Sequence, residues 1–297
     1  MVSIATSGTA SSPITFQSQN KWGAKLVGDT SCEYGFGVRA SYINIKFFDI
    51  SGLGANSSQG IYLASGTNHI VFGNRIHNIA NINTSSGYGN DAIFVGTNSD
   101  LIDSNLIFNI GRTNFAFAGV DHGLYCDGSY GASDLTIQNN VIYNTPFGWP
   151  IQLYPGGQSN VLIINNTLDG QNPRVIGSIV QGSSTLSNSR ITNNIIYSYN
   201  GAAINFSFGS NSGVTVDHNL TNASAMGNSS PSGVTFSGNI TGASTSGLVS
   251  NEAGGDYHLV GSSPAIGQGS PTNAPPTDFD GNSRGSRIDI GAYEYPH

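Results

Sequence analysis

The stretch FGNRI (72–76) returns six more times in nearly the same frame. Its echoes are DSNLI (103–107), QNNVI (138–142), INNTL (164–168), TNNII (192–196), DHNLT (217–221) and SGNIT (237–241). Each has an asparagine at its centre, and from Asn74 to Asn239 the steps are 31, 35, 26, 28, 25 and 20 residues. A repeat of that length, flanked by alternating hydrophobicity, belongs to a solenoid of strands whose coils bury one another. The expectation is an all-β chain: a right-handed, single-stranded parallel β-helix with three sheets.

Working outward from the asparagines gives three apolar rows, because residues two apart in a strand share a face. Several residues before each asparagine stand Ile61/Leu63, Ile93/Val95, Leu124/Cys126, Ile151/Leu153, Ile179 and Ile204/Phe206. Three before it stand Val71, Ile102, Ile137, Ile163, Ile191 and Val216; two after it stand Ile76, Ile107, Ile142, Leu168 and Ile196. Asn74, Asn105, Asn140, Asn166, Asn194, Asn219 and Asn239 read as a structural asparagine ladder. Their amides would stack about 4.8 Å apart and satisfy backbone groups in the bend and one another.

Composition bounds the partners. The chain has 297 residues, of which only 9% are charged, with 40 Gly and a net charge of −7 from 10 Lys+Arg against 17 Asp+Glu. With 13 Tyr and 14 Phe it is not a disordered chain. Scattered cations on an acidic protein give no footprint for nucleic acid and no polybasic membrane patch. No apolar run approaches the roughly 18 residues of a spanning helix. A monomer that is secreted or displayed at the cell surface is expected. The opening MVSIATSGTA reads as mid-protein sequence, so an N-terminal cap and a signal peptide are expected to be missing. Cys32 and Cys126 leave pairing open.

GTASSPITFQSQ (8–19) and VRASYINIKFFDISG (38–52) resemble the first coils of secreted bacterial β-helix proteins of the pectate-lyase-like superfamily, among them chondroitinase-B-like polysaccharide lyases. DYHLVGSSPAIGQGS (256–270) and DFDGNSRGSRIDIGAYEY (278–295) are similar to the closing, choice-of-anchor-type tail of many such chains. The resemblance implies coils over 1–250 and a closing segment over 251–297 packed on the helix. It gives His258, Asp280, Asp289 and Glu294 structural roles, and places ligands along the first strand row. Asp278-x-Asp280-Gly-Asn282 has the opening spacing of a calcium loop but lacks its closing Glu, and Arg284 and Arg287 could neutralise it. No cofactor is required on this reading, and Ca²⁺ stays an alternative.

Along the first strand row the outward residues are Tyr62, Phe94, Tyr125 and Gln152, then Ala64, Gly96, Asp127 and Tyr154. At the strand entrance run Gln59, Asp91, His122 and Trp149. The inserts INTSSGYGN (82–90) and GRTNFAFAGVD (111–121) enter this row and are expected to wall it. The candidate catalytic residues are His122, Tyr125, Asp127 and Asp91: an imidazole that titrates near neutrality, a phenol, and carboxylates. Asp91, beside His122, is expected to orient the ring and raise its pKa. Trp149 and Tyr154 offer flat faces to sugar rings, with Gln152, Phe94 and Tyr62 alongside. Arg112 and Arg174 are the nearest groups to neutralise a uronate carboxylate. No metal site is assigned there. Elsewhere, His77 reads as an exterior stacking residue, His218 as surface, and His69 as a minor partner of Asp100.

Three functions compete. A polysaccharide lyase would cleave a uronate-containing polysaccharide or oligosaccharide by β-elimination, with His122 and Tyr125 sharing base and acid roles. A glycoside hydrolase would use two of Asp91, Asp121 and Asp127. The third is a non-catalytic glycan-binding or surface/adhesion protein, with which the tail resemblance is compatible; outward aromatic stacks and strand-capping aspartates can also serve structure without binding anything. A carbohydrate-active enzyme is expected, with the lyase ahead.

Overall fold

The computed structural model describes residues 1–297 except 56, 81–88, 113–118, 183, 208 and 297. The described chain is a parallel β-helix. Each coil lends one short strand to each of three parallel sheets, of eight, nine and eight strands. The first sheet runs from Val2–Ile4 through Tyr34–Arg39, Gln59–Ser65, Asn90–Val95 and Asp121–Cys126 to Ile204–Phe206. All three predicted inward rows are buried and form one continuous core along the axis.

Coil follows coil because each bend closes in the same way. The residue before each repeated asparagine has a left-handed backbone: Gly73, Ser104, Asn139, Asn165, Asn193, His218 and Gly238 have φ between 51° and 65°. Glycine and asparagine tolerate that region best, which accounts for most of the types found there. The following asparagine reaches to the next coil. Asn105 donates its backbone N–H and its Nδ2–H to Asn140 Oδ1, both at 3.0 Å. Asn140 does the same to Asn166 at 2.9 and 3.0 Å, and the pattern runs from Asn74 to Asn239. Each Nδ2 also donates to a backbone carbonyl of the preceding coil, as from Asn140 to Ile102 at 2.9 Å.

Two features go beyond the three rows. A short fourth parallel sheet joins Gly157–Ser159, Thr185–Ser187 and Ser210–Ser212. Its strands are almost wholly polar, with Leu186 alone buried and apolar, so periodicity does not reveal them. A second hydrophobic core lies outside the third sheet, where Val141, Ile195 and Leu220 meet Leu248, Tyr257, Phe279 and Ile290 of the C-terminal segment. Side-chain amides of the positive-φ residues also hold that segment. Asn165 donates to Asp289 O at 2.9 Å, Asn193 donates to Ser270 O at 2.8 Å, and Asn139 Oδ1 accepts from Arg284 at 3.0 Å.

The remaining histidines fall into place. His77 stacks on Phe108 at 4.8 Å, which stacks on Tyr143 at 5.1 Å. His218 sits at a positive-φ position with Nδ1 at 2.7 Å from Asp217. His69 is more than a minor partner: it is buried, with Nδ1 2.7 Å from Asp100 and Nε2 2.7 Å from Ala40 O. Cys32 and Cys126 are both free thiols.

Candidate active site on the first sheet

The outer face of the first sheet carries a groove of about 670 Å³. Register decides what lines it. Asp91 pairs with Gln59 on one side and His122 on the other. Phe94 pairs with Tyr62 and Tyr125, and Tyr125 with Gln152. The rings of Tyr34, Tyr62, Phe94 and Tyr125 follow one another at 6.3, 5.0 and 5.6 Å along the helix axis. Of the residues expected here, Asp91, His122, Tyr125, Asp127, Gln152, Tyr154, Phe94 and Tyr62 all line the groove. Most of the two inserts, 82–88 and 113–118, lies outside the described residues. Their flanks Gly89, Gly119 and Val120 do line the groove.

His122 is held by the next coil. Its Nδ1 accepts the backbone N–H of Trp149 at 3.2 Å, and its ring lies between those of Trp149, at 5.8 Å, and Tyr125, at 5.5 Å. Gly148 makes this approach possible, because a Cβ there would stand 1.7 Å from Asp121 O and 2.7 Å from His122 Nδ1. With Nδ1 accepting, the neutral ring carries its proton on Nε2 and presents a donor. Burial pushes the imidazole down to about 4, against the charge of Asp121, which pulls upward. The expectation that Asp91 raises the pKa of His122 is therefore wrong.

Asp91 explains the failure. Burial and the neighbouring charge of Asp121 push its own carboxyl well above the carboxylate range, and the backbone amide of His122 offsets this only in part. Its Oδ1 is buried with no hydrogen-bond partner among the described residues. At neutral pH the imidazole is neutral, the Asp91 carboxyl beside it holds its proton more tightly than an ordinary carboxyl, and no salt bridge joins the two. Tyr125 is held protonated: burial raises its phenol, and the charge of Asp127 adds to the effect. Asp127 Oδ1 accepts from Ser129 N at 2.9 Å and Ser129 Oγ at 2.5 Å.

Three expected ligand contacts are taken by the protein itself. Arg112 is fully buried and forks onto Asp121, with Nε 3.0 Å from Oδ2 and Nη2 2.8 Å from Oδ1. Asn90 adds N–H and Nδ2–H bonds to the same carboxylate at 3.1 and 2.9 Å. Arg112 is therefore not free to meet a substrate. Arg174 is exposed and lies over the Phe147 ring at 4.4 Å, away from the groove-lining set. Trp149 also falls outside that set: one ring face stacks on His122 and its Nε1–H donates to Ile176 O at 2.9 Å. It positions the histidine.

The groove also holds residues the sequence reading passed over: Tyr34, Glu33, Tyr130 and Arg39. Tyr130 sets its edge against Phe94 at 6.2 Å. Arg39 ends the strand Tyr34–Arg39 and pairs with Ser65 after a bulge. Extending the strand row back one coil from Tyr62 would have reached Gly37 and then Arg39.

Among the described residues no group of three or more His, Cys, Asp and Glu is arranged to hold a metal ion. In the loop considered for calcium, Asp278 accepts from the backbone N–H groups of Asp280, Asn282 and Glu294 at 3.0, 2.8 and 2.9 Å. Asp280 meets His258 Nε2 at 2.8 Å. Among the described residues no helix is long and apolar enough to cross a membrane.

No family model matches the chain, and no curated protein matches it. Solved structures do. The crystal structure of pectate lyase Pel9A aligns over 99% of this chain and 83% of its own, with a TM-score of 0.57 and 18% identity. That of an alginate lyase from Paenibacillus sp. str. FPU-7 aligns over 80% and 74%, with a TM-score of 0.44 and 21% identity. The first likeness is one of fold.

Proposed function

We propose that the chain is a polysaccharide lyase acting by β-elimination on a uronate-containing glycan bound along the first sheet. The observation that carries this reading is the buried carboxyl of Asp91, raised in pKa and lacking a partner for Oδ1, beside a neutral His122 in the groove. With Asp91 protonated, it joins His122 Nε2–H and the Tyr125 phenol as a third neutral proton donor in the groove. Elimination removes the proton next to a carboxylate, so charge builds on that carboxylate as the bond breaks. Fixed donors in a water-poor site stabilise such charge, and a protonated aspartate with a tyrosine is a known way to do it. The donor cluster thus does what Arg112 and Arg174 were expected to do. Asp127, two residues beyond Tyr125 on the same face, supplies an acceptor for the proton. Tyr125, between Asp91 and Asp127, is the donor for the leaving oxygen. The pectate lyase that shares the fold carries the same reaction class in its name.

A second reading has one observation in its favour. A carboxyl with a raised pKa is also what an inverting glycoside hydrolase needs as its acid, and Asp127 would be its base. Asp121, buried under Arg112, is available to neither reaction. Incubation with polygalacturonate, alginate and neutral glycans, followed by absorbance and mass spectrometry, separates the readings. An ultraviolet-absorbing product lighter by one water than the hydrolytic fragment is expected. New reducing ends without absorbance would replace the lyase by the hydrolase. No turnover of any glycan would leave a binding protein.

A further inference from the structure

The chain has ten lysines and arginines, and the structure ties up several of them. Arg75, Arg112, Arg190 and Arg284 each pair with a carboxylate. Arg39 does not: it is exposed, has no carboxylate within salt-bridge distance among the described residues, and is the one lysine or arginine among the described residues that line the groove. Its guanidinium sits 5.9 Å from the centre of the Tyr62 ring, whose neighbour Tyr34 stands 6.3 Å away. Tyr34 also feels it: the Ser3 hydroxyl first, and Arg39 second, draw the pKa of that phenol down. An arginine backed by an aromatic face and left without an anion is pre-organised to take a carboxylate in its planar fork.

Its position gives the site a meaning. The strand of Arg39 is two strands from that of Asp91 and three from that of His122. Strands lie about 4.8 Å apart, close to the advance of an extended pyranose chain per sugar. Arg39 therefore stands about 10–14 Å along the groove from the donor cluster, at the end of the aromatic row.

We infer that Arg39, with Tyr34 and Tyr62, forms a remote anion subsite that binds the carboxylate of a uronic acid two to three sugars from the cleaved one. It makes the groove directional and favours acidic oligosaccharides long enough to span both places. This rests on the lyase reading for the location of cleavage, while the binding it describes stands apart from turnover.

The test uses calorimetric binding of digalacturonate, pentagalacturonate and cellopentaose to the wild-type chain, Arg39→Gln and Arg39→Lys, with release of unsaturated product recorded in parallel. Arg39→Gln is expected to weaken pentagalacturonate roughly tenfold, the loss of one charge-assisted contact. Digalacturonate should bind unchanged, and Arg39→Lys should recover part of the loss. An equal loss for both uronides, no loss for the pentamer, or a wild-type chain that prefers cellopentaose would overturn the subsite. If the binding pattern holds and no unsaturated product forms, the subsite stands and the lyase reading falls. If product forms and the pentamer advantage survives Arg39→Gln, the reverse is true.

Discussion

Lowering the pH from 7.5 to 4 interrogates His122 directly. In the folded chain the imidazole titrates at about 4, held down chiefly by burial; in an unfolded chain it titrates at about 6.5. Between those values the unfolded state binds the proton and the folded state does not. The unfolded state therefore holds more protons, and stability rises with pH across the window. The contribution is fully present above about pH 6.5 and is lost as the pH falls toward 4. At about 1.4 kcal/mol per tenfold in proton affinity, the gap amounts to about 3 kcal/mol.

His122→Gln isolates that contribution, since glutamine offers an acceptor to the Trp149 N–H but does not titrate. The difference in unfolding free energy between the wild-type chain and the variant, from urea midpoints, should shift against the wild type by about 3 kcal/mol between pH 7.5 and 4. Nitrogen chemical shifts of the ring should report a proton on Nε2 throughout the neutral range. A shift of opposite sign is what an Asp91–His122 ion pair would produce. That outcome, a titration near or above 6.5, or a proton on Nδ1 would refute the neutral-donor account of the site.

Asp91→Asn removes a buried carboxyl whose pKa the fold raises above its unfolded value. At neutral pH it should stabilise the chain, with the gain fading as pH falls toward 4, while glycan turnover drops at least ~100-fold. Thermal melts at pH 8 and pH 4, beside a rate assay, check both halves. Asn140→Ala strands the Asn105 N–H and takes donors from the carbonyls of Ile102 and Gln138. It should cost about 3 kcal/mol in urea unfolding, against about 1 kcal/mol for Asn239→Ala at the end of the stack. Arg112→Ala leaves Asp121 buried without its cation and should cost about 3–5 kcal/mol, lowering the melting temperature by on the order of 10 °C.

The coils were legible because the same bend recurs. One asparagine marks each turn, with a small or amide residue before it in all but the His218–Asn219 turn, and counting from it places Ile93, Leu124 and Ile151 inward and Phe94, Tyr125 and Gln152 outward. That count also brings Asp91 beside His122, as register alone requires. It says nothing of the polar fourth sheet, whose residues alternate no hydrophobicity. Nor does it say where Arg112 goes: it forks onto Asp121, nine residues later, and both side chains are buried. The groove role of Arg39 was legible in principle and lay one coil beyond the point where the asparagine count begins.

Asp91 and Asp121 show why residue types did not decide the chemistry. They stand on neighbouring strands, Asp121 paired with Asn90 and Asp91 with His122, and both are buried. Asp121 collects a guanidinium fork and two amide donors from Asn90, so its charge is compensated. Asp91 gets the His122 backbone amide and the repulsion of Asp121. A buried carboxyl left uncompensated lowers stability, and here it does so at the one groove wall where a ligand would supply the missing partner. A bound carboxylate would accept the Asp91 proton in a hydrogen bond and relieve that cost, so occupancy of the groove should stabilise the wild-type chain more than Asp91→Asn. Uronide-induced shifts in melting temperature, equal in the two chains, would show that Asp91 never meets the ligand.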